Sequence, residues 1–139
     1  RQQTTIFEKT LQDIPVDYFE KLEENDILFI DSTHVSKTGS DVNYFLFEIS
    51  PRLKPGVIIH VHDVFYPFEY PKAWVIDGNG RFGWNEAYIL RAFLMYQDKF
   101  EILFHNDFLQ TFHTDWLAQN MPTYATRGRG SSIWLRKVK

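Results

Sequence analysis

Asp26-Ile27-Leu28-Phe29-Ile30-Asp31 is a run of four apolar residues closed by an acid at each end. Unbroken apolarity over so few residues is the pattern of a parallel strand buried on both faces, so a central strand is expected here with Asp31 at its C-terminal tip. Val57-Ile58-Ile59-His60-Val61-His62-Asp63 reads as a second such strand. Its period of two puts His60 and His62 on one face, and Asp63 marks its exit. Between the two runs, Val42, Phe45, Leu46, Ile49 and Leu53 recur at intervals of three and four. That spacing predicts a helix over 40–53, with Asp41 in the first turn where the helix dipole favours an acid and Lys54-Pro55-Gly56 as the stop.

Working outward, residues 14–24 carry Val16, Phe19 and Leu22 at helical spacing behind Pro15, and residues 5–8 read as a short earlier strand. Downstream, residues 64–82 are aromatic and rich in Pro and Gly, including Tyr66-Pro67-Phe68-Glu69-Tyr70-Pro71 and Asp77-Gly78-Asn79-Gly80. A loop of that length in a compact domain is usually functional, and a lid is one reading. Residues 84–97 and 107–119 are helical by pattern, whereas 100–105 and 132–138 are strand-like. Strands and helices alternating through short links imply an α/β sheet with helices on its faces, and such sheets bind ligands beyond the C-terminal ends of their strands. Asp31, His62 and Asp63 all fall on that rim.

Composition narrows the functional classes. The chain has 139 residues, 44% hydrophobic and 17% aromatic, enough to build the core of one domain spanning 1–139. Eight acids lie between Glu8 and Asp31, while the stretch from Trp116 to Lys139 holds five Lys or Arg residues and no acid. That basic end is too short and strand-like for a nucleic-acid footprint, so no nucleic-acid partner is expected. There is no cysteine, which excludes disulfides, thiolate metal sites and thiol nucleophiles and fits a cytoplasmic protein. No stretch approaches the roughly 18–20 apolar residues of a membrane span, so no membrane partner is expected either. Arg1 and the early onset of the hydrophobic pattern read as a chain cut from something longer.

Asp-Ile-Leu-Phe-Ile-Asp-Ser-Thr-His (26–34), a helix ending Pro51-Arg52-Leu53-Lys54-Pro55-Gly56, and the strand 57–63, in that order, resemble the second half of a class I S-adenosylmethionine-dependent methyltransferase domain. The Ser-Thr-His loop, the aromatic 66–71 segment and Trp84-Asn85-Glu86 are similar to a bacterial small-molecule subgroup. The resemblance implies a partial Rossmann-like sheet, mostly parallel with a C-terminal antiparallel strand formed by the 100–105 and 132–138 hairpin, and helices on both faces. It also implies S-adenosylmethionine as cofactor, with Asp31 and Ser32 on the cofactor side. The family holds methionine with a Gly-x-Gly loop after its first strand and ribose with an acid after its second. Neither is found here, so the chain alone is expected to bind the cofactor poorly and to be inactive, whatever the parent protein does. The acceptor implied is a small molecule such as a sugar or natural product.

Methyl transfer to a hydroxyl needs a base or a metal to lower the hydroxyl's pKa. His34, His62 and Asp63 are the candidate catalytic residues. In metal-dependent relatives, acids at the ends of the fourth and fifth strands hold a divalent cation; Asp31 and Asp63 match them, and His62 stands where another acid is common. A hard cation prefers oxygen, so the histidine shifts a metal set of Asp31, His62 and Asp63 toward a transition metal. Plainer readings stand beside these: Asp31 capping its loop, His34 as a surface donor, and His60, His105 and His113 as structural residues. The 65–70 segment lines an acceptor pocket, with Glu69 and Lys72 reading polar groups, or packs over the sheet edge. Asn85 and Glu86 suit a helix N-terminus. Arg127-Gly128-Arg129-Gly130-Ser131 reads as a solvated turn.

Two other functions fit. One is a non-catalytic truncated module, in which an exposed strand edge drives homodimerisation. The other is a metal-dependent hydrolase, because His60-Val61-His62-Asp63 resembles the His-x-His strand ends of that class, although the following residues depart from its pattern.

Overall fold

The computed structural model describes residues 4–77, 83–124 and 130–139. Its four strands, β1 (Ile27–Ile30), β2 (Ile58–His62), β3 (Phe100–His105) and β4 (Ser132–Lys137), form one sheet in the order β1-β2-β4-β3. β1 and β2 are parallel, and β4 runs antiparallel to both β2 and β3. Three strands therefore point one way and the C-terminal strand runs against them, as expected of this α/β class. All four strands fall where the hydrophobic pattern put them.

The link between β1 and β2 is helical over 41–52. It starts as α1 (Asp41–Tyr44), widens into a π turn (Phe45–Ile49) and tightens into a 3₁₀ turn (Ser50–Arg52). Ser40 caps it, accepting from the Asn43 amide at 3.2 Å. In the wide turn the Phe45 carbonyl accepts from the Ser50 amide, and the Ser50 hydroxyl donates to the same oxygen at 2.9 Å. Val42, Phe45, Leu46 and Ile49 are fully buried against Leu28, Ile30, Ile59, Val61, Ile133 and Leu135. Each such side chain contributes about 1.5–3 kcal/mol, and together they fix the sheet's core face. Gly56, at φ +88°, turns the chain back into β2 against Glu24.

α2 (Glu86–Leu94) adds Ala87 and Leu90 to the buried set. α3 (Asn106–Phe112) and α4 (Thr114–Asn120) flank Phe104, whose pairing with Trp134 places it on the face opposite Leu135. Helices thus lie on both sides of the sheet.

Four expectations are corrected. β1 is not central: it is an edge strand, and its alternate residues Ile27 and Phe29 are 54% and 57% exposed, so only Leu28 and Ile30 face the core. Residues 5–8 form no strand, and Ile6 is 81% exposed, with no strand laid beside it to complete a ladder. Residues 14–24 give no α-helix but one 3₁₀ turn, Val16–Lys21, after another, Leu11–Asp13; the spacing of Val16, Phe19 and Leu22 is three throughout, the period of a 3₁₀ helix. The 107–119 helix is two, broken at His113 (φ −135°). The Gly78-Asn79-Gly80 and Arg127-Gly128-Arg129 stretches lie outside the described residues. Among those described, no helix is long and apolar enough to cross a membrane.

Candidate functional site

Both parallel strands end in an acid, and adjacent parallel strands bring those ends side by side. Asp31 follows β1 and Asp63 follows β2, so two carboxylates from distant sequence meet above the sheet. Asp63 takes φ +54° and is pinned there by β4: its amide donates to Ser131 O at 2.8 Å, and Ser131 Oγ donates to its Oδ1 at 2.9 Å.

His34 completes the group from the loop after β1. Its backbone is left-handed (φ +57°), a conformation costly for a non-glycine residue and here fixed by several bonds at once. The His34 amide donates to Ser32 Oγ at 2.9 Å. Its carbonyl accepts from the amides of Asn85 and Glu86 at 2.9 and 3.2 Å, donors that the start of α2 would otherwise leave unpaired. Thr33 donates through its amide and hydroxyl to Asp41, at 2.8 and 2.7 Å, so the same loop is also tied to α1.

The imidazole is buried and lies against the Trp84 ring, with centroids 4.0 Å apart. Its Nδ1 is 2.8 Å from Glu86 Oε2, and Glu86, only 1% exposed, also accepts from Ser32 Oγ at 3.0 Å. A carboxylate can only accept, so Nδ1 carries the proton and Nε2 faces the other way. There it lies 3.5 Å from Asp31 Oδ1 and 3.9 Å from Asp63 Oδ2. Burial on its own depresses the His34 pKa, but the Glu86 hydrogen bond and the charges of Glu86, Asp63 and Asp31 outweigh it, and the net shift is upward.

Asp31, His34 and Asp63 each offer one ligand atom, all within 4.8 Å of one another. Two acceptor-only carboxylates and a ring nitrogen in that space repel unless something positive lies among them. A proton on Nε2 is one solution and a metal dication is the other. Two oxygens and one imidazole suit a first-row transition ion better than Mg²⁺, and the His34–Glu86 bond is the outer-shell contact that fixes a ligating histidine.

The sequence-derived residues thus divide. Asp31, His34 and Asp63 converge. His62 is beside them, its Nε2 3.9 Å from Asp63 Oδ1, but it falls outside the three-ligand group. His60 and His62 share a face as expected, Nε2 to Nδ1 at 3.2 Å, and that face leads away from the acids: His60 stacks on Phe29 at 4.2 Å and meets Trp134 edge-on. Burial and the neighbouring His62 push the His60 pKa down to about 4. Ser32, expected on the cofactor side, has its hydroxyl engaged by Glu86, whereas the Asp31 side chain is 59% exposed at the rim. His105 is buried and bonds Val64 O at 3.2 Å.

Glu86 is the residue of the candidate site that the sequence reading passed over. Its position after Trp84-Asn85 marked a helix start; only the 52-residue fold-back to His34 reveals its partner. Tyr70 is a second: nearly buried, it accepts from the Ala87 amide at 2.9 Å and stands edge-on to Trp84, which links the aromatic 65–71 segment to the His34 ring.

Residues 1–64 match the model of a family described as a methyltransferase domain. The match includes Asp31, His34 and Asp63 and ends one residue after the last of them. It supports a methyltransferase family for that segment without addressing any subgroup. No curated protein and no solved structure matches the chain.

Proposed function

We propose that this chain is the acceptor-side portion of an S-adenosylmethionine-dependent methyltransferase that acts on a hydroxyl of a small molecule such as a sugar or natural product. The observation that carries the reading is the Glu86–His34 pair, which aims Nε2 at the rim between Asp31 and Asp63. The methyltransferase match over the segment that holds those three rim residues supports it.

In this reading S-adenosylmethionine supplies the methyl group from its sulfonium. The His34 ring with Nε2 unprotonated takes the acceptor's hydroxyl proton there, Glu86 keeps Nδ1–H in place, and the charges of Asp31 and Asp63 favour the imidazolium that results. Asp31 is the exposed carboxylate at the cofactor end of β1. Where a divalent cation binds, Asp31, His34 and Asp63 would hold it, and it would supply the lowered hydroxyl pKa instead of the base. His62, 42% exposed beside Asp63, is a secondary proton acceptor.

The test is calorimetric titration of S-adenosylmethionine into this chain and into the full-length gene product, followed by methyl-transfer assays of His34→Gln. The expected result is cofactor binding by the full-length protein, with His34→Gln reducing turnover by about 10²-fold or more at unchanged cofactor affinity. No cofactor binding by the full-length protein refutes the reading and leaves an assembly module as the better account. Mn²⁺ titration separates the two activation modes: Asp63→Asn and His34→Gln abolish a metal signal that His62→Ala retains if the rim holds a metal, and wild type shows no signal if His34 is the base.

A further inference from the structure

Next to the carboxylate rim, the 65–71 segment, Asp107 and the two residues before β4 line an open cavity of about 490 Å³, within the roughly 300–1,000 Å³ of small-molecule sites. Ser131 forms part of its wall, and the same Ser131 hydroxyl donates to Asp63, so a single residue links the cavity to the clustered acids. Tyr70, also in the wall, reaches the His34 ring through Trp84. A smaller cavity of about 190 Å³ beside α3 and α4 shares only Gly130 with it and has neither acid cluster nor histidine in its wall.

The rest of the wall is aromatic and braced. Phe65 meets Trp74 edge-on at 5.1 Å, and Tyr66 meets Phe108 and Phe112 at 5.2 and 5.4 Å. Rings held in this way present fixed C–H and π surfaces at little entropic cost. Among the described residues lining the cavity, the charged ones are Glu69 and Asp107. Glu69 already accepts from the Tyr70 amide and the Tyr88 hydroxyl, and Asp107 from the Tyr66 amide. A carboxylate has about four lone-pair positions, so each keeps capacity to accept more.

We infer that this cavity is the acceptor subsite and that it takes a saccharide, a ring with several hydroxyl donors for Glu69 and Asp107 and an aliphatic C–H face for the aromatic wall. This rests on the methyltransferase reading only for the word acceptor; the binding itself does not. Anions are disfavoured by two carboxylates in one small space. A planar phenol brings fewer donors for the two carboxylates and has no aliphatic C–H face for the aromatic wall.

Saturation-transfer NMR on the whole chain tests this with three probes: a methyl glucoside, glucuronate and catechol. The expected result is saturation of the glucoside ring protons, little for glucuronate or catechol, and about tenfold weaker glucoside binding in the Glu69→Gln/Asp107→Asn double variant. Catechol or glucuronate binding in place of the glucoside, or a folded double variant that binds glucoside as wild type does, overturns the assignment. If the double variant fails to fold, the wild-type ranking of the three probes decides alone. Glucoside binding in a protein whose full-length form binds no S-adenosylmethionine upholds the subsite and removes the methyltransferase reading. Methyl transfer to catechol but not to glycosides does the reverse.

Discussion

Replacing Glu86 tests the centre of the site without touching the rim. In Glu86→Ala, two groups lose their acceptor: the His34 Nδ1–H, which is buried, and the Ser32 hydroxyl, which is part-buried. An unsatisfied buried donor costs about 1–3 kcal/mol, so with Ser32 partly rescued by water the loss is about 2–4 kcal/mol. For a domain of this size that lowers Tm by about 6–14 °C. Glu86→Gln keeps an acceptor oxygen and removes only the charge, and should cost about 1–2 kcal/mol. The two variants also differ from wild type in pH response. Folding holds the His34 pKa above its ordinary value, so the stability it contributes is fully present below about pH 6.5 and is lost as pH rises through the folded pKa. Without the Glu86 charge, the depressing effect of burial is opposed by Asp63 and Asp31 alone in Glu86→Ala, and by these and the retained hydrogen bond in Glu86→Gln; in both the His34 pKa falls and that alkaline loss shrinks. Thermal melts and a histidine NMR titration, both with chelator present, read these effects. A Glu86→Ala protein within about 0.5 kcal/mol of wild type, or an unchanged His34 titration in Glu86→Gln, would show that the pair is an incidental contact.

His60 supplies the acid side of the same profile. Its folded pKa of about 4 lies below the ordinary 6.5, so the unfolded chain binds the extra proton between those values and stability falls as pH drops through that window, by about 3 kcal/mol at most. Denaturant melts of wild type should therefore peak near pH 6.5, and His60→Gln should flatten the acid limb alone. Gly56→Ala should be among the costliest glycine changes, because its Cβ would lie 2.5 Å from Glu24 Cγ and 3.0 Å from Glu24 Cα at φ +88°. A loss of about 3 kcal/mol or more is expected there, against about 1–2 kcal/mol for Gly39→Ala, where φ is +71° but the space is open; urea midpoints compare them.

β1 and β2 were legible because each is an apolar run bounded by acids or glycine, and the acids at their tips marked the rim before any coordinates did. The burial of β1 was misjudged for a specific reason. Ile-Leu-Phe-Ile does not alternate, so a strand buried on one face looks the same as one buried on both, and strand order decides between them. The spacing of Val16, Phe19 and Leu22 is three throughout, which suits the 3₁₀ turn found there as well as an α-helix. At the site, a period of two correctly paired His60 with His62, but it drew attention to the face that runs along the sheet rather than to the loop histidine that turns over its end. His34 reaches the acids through a left-handed backbone, a conformation that residue type alone does not announce in a histidine. Glu86 looked like an ordinary helix-start acid, and its buried charge makes sense only beside an imidazole 52 residues away.

The His34 carbonyl, bonded to the first two amides of α2, has a mechanical consequence. The imidazole and the start of α2 form one rigid piece, whereas the aromatic 65–71 segment is fastened to that piece through the Tyr70 hydroxyl at the Ala87 amide and through Glu69, which accepts from the Tyr88 hydroxyl. Exchange of the Asn85 and Glu86 amides with deuterated water should accordingly be slow and should stay slow when residues 65–68 are altered. Substitutions at Phe65 to Phe68 can therefore rebuild one wall of the cavity, as long as Glu69 and Tyr70 are kept, while the His34 ring keeps its place.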